Sequence, residues 1–101
     1  SDVYIVENVD ASTGNIEYTG SVQINGNVTN GFVVRASGNI VINGVVEGAQ
    51  IISDENIVIA RGMNGMSRGQ LKAGGNVIAK FIENATVEAG GYVNTESILH
   101  S

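Results

Sequence analysis

The chain has 101 residues, a formal charge of −5 and neither cysteine nor proline. That is one domain's worth of chain; without cysteine there is no disulfide framework and no thiolate metal site, and the acidic balance argues against a general nucleic-acid binder, which would carry a basic face. No apolar run reaches membrane-spanning length and no basic-then-apolar leader opens the sequence, so the expected compartment is the cytoplasm, without membrane insertion.

In chain order, the first apolar stretches are Val3-Tyr4-Ile5-Val6 and Ile16-Glu17-Tyr18. They read as out of phase with the rest of the chain, and residues 1–21 are assigned to an opening turn or cap. From residue 22 to residue 101 one phrase recurs. Its first column is Val22, Ile40, Ile57, Val77 and Val93, at spacings of 18, 17, 20 and 16 residues. A second apolar column comes at Val28, Val46, Met63, Ile82 and Ile98. A third segment superposes Phe32 to Ala36, Ala49 to Ser53, Gly69 to Ala73 and Ala85 to Ala89 as one row of alternating residues.

Alternation puts every second residue of a strand on one face, and a fixed period with no helical pattern between is the signature of a solenoid. The fold class is therefore all-β: a single-stranded parallel β-helix, or β-solenoid, with about three short strands per turn and roughly five turns. Corners fall where such a coil needs them. Gly38-Asn39, Gly75-Asn76 and the partial match Glu55-Asn56 precede the first strand, while Asn25-Gly26 and Asn43-Gly44 come after it. Gly and Asn tolerate positive φ. Asn39, Asn56 and Asn76 should stack in one column, with amides bonding along the coil axis. An Asn-Gly pair is also a strong hairpin signal, but a meander does not explain why strand and corner recur in the same order.

The inward positions are mostly Val, Ile and Ala, which suits a thin coil whose side chains stack on their equivalents one turn away. Ile98 and Leu99 fall inside a turn whose third strand is not supplied, so the sequence is expected to be a piece of a longer protein.

Little chemistry stands out. The single histidine, His100, has no acid or nucleophile near it, and one His with no Cys cannot build a serine or cysteine triad or the common zinc sets. No catalytic residue, cofactor, metal or small-molecule substrate is expected. Glu47 and Glu83 share a column with Asn64 between them, but two turns at roughly 4.8 Å give about 10 Å, at or beyond the long limit for an inverting acid/base pair. The irregular segment is residues 61–69, in the longest turn. It holds both methionines, and Gly62-Met63-Asn64-Gly65 could present N–H groups to a phosphate or carboxylate, though it lacks the succeeding helix that a phosphate loop requires. With Lys72 and Lys80 it supplies four of the five basic residues. The candidate partner-docking patch is Arg61, Met63, Met66, Arg68, Lys72 and Lys80.

The wording of the repeat resembles a known family. Thr13-Gly14-Asn15-Ile16, the run from Gly20 to Val28 and the run from Ala36 to Ala49 are similar to the flagellar assembly protein A (FapA) family, as are Leu71-Lys72-Ala73-Gly74-Gly75-Asn76-Val77 with its continuation to Ala85, and Glu96-Ser97-Ile98-Leu99-His100-Ser101. Glu55 stands where that family favours Gly. The resemblance implies a right-handed coil, in agreement with the handedness of parallel crossovers. It also implies a non-enzymatic scaffold in bacterial polar flagellar assembly, which binds a protein partner or itself and is recruited to the cell pole. More distant resemblances are to the C-terminal coil of the septum-site inhibitor family MinC and to bactofilins, which imply a cell-division regulator or a polymerising domain. A carbohydrate-active β-helix using Glu47 and Glu83 is the enzymatic alternative.

Overall fold

The structure, a computed structural model, describes residues 2–99. Ten strands succeed one another with no helix among the described residues: β1 (Val3–Val6), β2 (Ile16–Tyr18), β3 (Ser21–Ile24), β4 (Val33–Ala36), β5 (Ile40–Ile42), β6 (Val45–Glu47), β7 (Gln50–Ser53), β8 (Ile57–Ala73), β9 (Val77–Ala89) and β10 (Val93–Leu99). All the pairings are parallel, each strand lying beside its equivalent one turn away. This is a β-solenoid.

The coil has three sides. On the first, Tyr4, Val22, Ile40, Ile57, Val77 and Val93 are successive partners. On the second the series is Val9, Val28, Val46, Met63, Ile82 and Ile98, and on the third Ile16, Val34, Ile51, Leu71 and Val87. These are the columns that the repeat predicts. β8 and β9 run through all three sides of their turns as single bent strands.

The opening stretch departs from the sequence reading. Val3 pairs with Ser21 and Val6 with Ile24, so residues 3–18 form a turn in phase with the rest, 18 residues below it, and the coil has about six turns rather than five. Two features hid the phase. Four consecutive apolar residues show no alternation, and tyrosines hold the inward positions that Val22 and Ala36 hold one turn on. The Tyr4 and Tyr18 rings stack with centroids 5.3 Å apart, which shields the end of the core with aromatic area.

The core is a set of apolar columns. Ile24, Ile40, Ile42, Ile51, Ile57, Ile59, Met63, Leu71 and Ile82 are fully buried, and β-branched side chains stack well on a pleated surface. Ser53 is the buried polar exception. Its hydroxyl donates to the Gly38 carbonyl at 2.6 Å and accepts the Glu55 N–H at 2.9 Å, which offsets the cost of burying it.

The asparagine column forms as predicted, and it bonds mainly to the backbone. Asn39 Oδ1 accepts the Asn56 N–H and the Asn56 side-chain amide, at 3.1 and 3.0 Å. Asn56 Oδ1 accepts the Asn76 N–H at 2.8 Å, and Asn76 Oδ1 accepts that of Tyr92 at 3.0 Å. Ser21 Oγ starts the column by accepting the Asn39 N–H. A second, shorter column runs through Asn8 and Asn27 to the Val45 N–H. At the corners of these two columns, where a bend misaligns the ladder, a side-chain oxygen thus takes an N–H that would otherwise go unpaired.

Two pairs of substitutions separate these contributions. Ile57→Ala should cost about 2–4 kcal/mol through lost burial and a residual cavity, while exposed Glu47→Ala should fall within about 0.5 kcal/mol of the parent. Asn56→Ala should cost about 1–2 kcal/mol by orphaning the Asn76 N–H, and Asn43→Ala, at an exposed corner, should cost little. Urea unfolding of the four variants measures both comparisons.

Candidate functional site

A coil this regular offers side chains a distinct setting only where the register slips. Both slips on the β8–β9 ladder lie in the same turn, between Ile59 and Gly62 and between Asn64 and Gly69. They account for its 20-residue length, against 17 and 16 for its neighbours. At the first slip Ala60 and Arg61 oppose the single residue Lys80, a bulge that re-aims the side chains around it. At the second, residues 65–68 oppose Asn84 alone.

The first slip builds a groove. Arg61, Lys80, Phe81, Glu96 and Ser97 line a depression of about 600 Å³ at the corner between the first and second sides. Phe81 lies over Gly62, so close that a side chain at Gly62 would strike its ring; glycine is what lets the aromatic settle there. Among the described residues the one ion pair is Lys72 with Glu88. Arg61 and Lys80 therefore stand without a described carboxylate within 4.0 Å. The groove holds two cations, one anion and a half-buried aromatic ring on an acidic chain.

At the second slip the chain is strained. Met66 and Ser67 have φ of 53° and 63°, in the left-handed region where Gly or Asn usually sits. Equivalent corners elsewhere use Gly14, Gly31, Gly48 and Asn84. Ser67, Arg68, Gln70 and Asn84 line an open depression of about 540 Å³ at the corner between the second and third sides.

The six-residue patch read from the sequence is thus not one surface. Arg61 and Lys80 come together. Met63 is fully buried in the second-side column, because an inward register position outranks the adaptability that suggested a docking role. Met66 is exposed but belongs with Arg68 at the other corner, and Lys72 lies on the third side, 4.0 Å from Glu88. Phe81, Glu96 and Ser97 were missed. The signal for Phe81 was an aromatic at an outward position facing a glycine one turn below.

Glu47, Asn64 and Glu83 do share a column, with the two acids two turns apart. Among the described residues no three His, Asp or Glu side chains gather as a metal cluster. His100 lies outside the described residues. The Asp10 carboxyl is held below its ordinary range, chiefly by the Ser12 hydroxyl and N–H that it accepts. Those bonds close the first corner between the second and third sides.

Compared with known proteins, residues 2–101 match the family model of the flagellar assembly protein A β-solenoid domain. The chain belongs to this family. No curated protein and no solved structure gives a match. The resemblance carried by the Gly-Asn-Ile wording is confirmed over essentially the whole chain, and with it a role as a scaffold-type domain related to flagellar assembly. Among the described residues of this FapA-family domain no helix is long and apolar enough to cross a membrane.

The strain at the second slip is measurable. Met66→Gly should stabilise the domain by about 1 kcal/mol by relieving left-handed strain, whereas Met63→Gly should destabilise it by about 3 kcal/mol or more, in the upper range of core truncations. Thermal melts of the two variants should move in opposite directions.

Proposed function

We propose that this domain is a non-enzymatic scaffold of bacterial flagellar assembly, working in the cytoplasm and at the cell pole, and that it docks a protein partner at the groove of Arg61, Lys80 and Phe81. The observation that carries this reading is the pair of cations, with no carboxylate of the described residues within 4.0 Å, flanking a half-buried ring, on a chain of net charge −5. Cations around an aromatic suit a segment that offers carboxylates with an apolar residue between them. Glu96 on the far wall leaves the groove one net positive charge, enough to orient such a segment without attracting every polyanion.

Family membership supports the scaffold role, and the regular ladder supports it physically, since it presents rigid flat sides with few loops. The carbohydrate-active alternative has less support: the two acids of the Glu47–Glu83 column are two turns, about 10 Å, apart.

The reading is tested by binding. Full-length protein carrying Arg61→Glu and Lys80→Glu should lose its partner in a pull-down from the parent bacterium and reduce polar flagella. Phe81→Ala should weaken capture at least tenfold, and Arg68→Glu with Lys72→Glu should leave it intact. Equal loss in both charge-reversal pairs, or no loss in the first, would refute the assignment of the groove.

A further inference from the structure

The corner between the second and third sides is made by residues in the left-handed region. In three turns these are Gly14, Gly31 and Gly48, with φ of 69°, 92° and 47°, and glycine adopts that region without steric cost. In the next two turns they are Met66, Ser67 and Asn84, at 53°, 63° and 51°, the three non-glycine residues with positive φ among those described. A side chain there is strained, least for Asn. Strain of this kind persists where the surroundings hold it in place, often at ligand sites. Here it sets two polar groups on one surface: Ser67 and Asn84 both line the depression of about 540 Å³ that also holds Arg68, Gln70 and Thr86.

These five polar side chains have no partners within the molecule. Among the described residues none of them takes part in a hydrogen bond or an ion pair, whereas the corner residues Asn27, Asn39, Asn56 and Asn76 each accept a backbone N–H. The depression is also free of acid. Arg35 shares its depressions with Glu17, Asp54 and Glu88, and Arg61 shares its groove with Glu96. On a chain with 10 acidic and 5 basic residues, Arg68 stands among hydroxyls and amides, with no carboxylate of the described residues lining its recess.

We propose that this corner binds a phosphate group, free or as a small ester. The Arg68 guanidinium offers a planar fork that matches two phosphate oxygens, and the Ser67 and Thr86 hydroxyls with the Gln70 and Asn84 amides supply neutral donors for the third. A carboxylate has two oxygens and leaves most of these donors idle. A nucleic-acid backbone needs a run of cations, and this recess has one. A single arginine among open neighbours binds weakly, with a dissociation constant on the order of 10⁻³ M for inorganic phosphate. The site is separate from the groove of Arg61 and Phe81, which lies at the other corner of the same turn.

Nitrogen-15 NMR of the chain tests the proposal, by titration with inorganic phosphate to about 20 mM at about pH 7.5, where phosphate is mainly the dianion, and at constant ionic strength. The amide signals of Ser67, Arg68, Gln70 and Asn84 should move along a saturable curve, and those of Arg61 and Lys80 should stay. Arg68→Gln should weaken binding at least tenfold. Ser67→Gly gives the decisive readout, because it relieves left-handed strain and removes a donor at once: it should melt at least as high as the parent yet bind phosphate severalfold more weakly. That variant binding as the parent does would overturn the proposal, as would the lack of a saturable shift, or shifts centred on Arg61 and Lys80. Acetate should bind at least tenfold more weakly than phosphate; equal binding would overturn the assignment to phosphate. Phenyl phosphate separates the two sources: tighter binding than inorganic phosphate assigns the site to an ester, equal or weaker binding assigns it to the free ion, and either supports it.

Discussion

A strand in this coil cannot find its hydrogen-bond partners within its own turn. Its N–H and C=O groups point along the coil axis, so each rung depends on carbonyls and amides of both the turn before and the turn after. The rest of the structure depends on keeping that ladder in register. Equivalent residues must stack on equivalent residues, which is why the inward columns are filled with Val, Ile and Ala that tile on their own kind. Corners must not break the ladder, which is why side-chain oxygens of Ser21, Asn39, Asn56 and Asn76 accept the N–H at the bend into the first side.

The same constraint explains where distinct chemistry can arise. While register holds, a side chain faces either the core or a row of its equivalents, and the outside is a flat ladder. Where residues are inserted, side chains are re-aimed. In this chain all of the insertion falls in the turn that starts at Ile57, and its two slips create the corner groove at Arg61 and the strained corner at Met66 and Ser67. The first side, whose strands carry no charged residue, and the irregular corner beside it are different surfaces.

Much of this was legible in the sequence because the repeat is itself a structural register. The columns through Val22, Val28 and Val34 superpose on the ladder without adjustment, and the asparagine stack is spelled out by three letters in one column. The opening turn was hidden for a physical reason: Tyr4 and Tyr18 sit at its inward positions because the end of a core needs covering area, so the turn does not look like its neighbours. The docking patch was legible only in part. Proximity in sequence grouped Arg61, Met63, Met66 and Arg68, but four residues of a bent strand are enough to pass from one side of the coil to the next, and Met63 faces inward. Phe81 escaped notice because its setting is made by Gly62, one turn away, a relation visible only once the register is known.

Continuity of the ladder from the first turn onward is the central claim, and amide hydrogen exchange measures it rung by rung. The N–H groups of Ser21, Asn25, Gly26 and Thr29 are bonded to carbonyls of the opening turn, at Asp2, Val6, Glu7 and Val9. They should be protected in the native state, less than the central amides of Ile40 and Ile57 but well above those of unstructured peptide. Exchange at the unprotected rate for these four, with protection beginning only at the next rung, would mean that the opening stretch is not part of the stack and would contradict the claim.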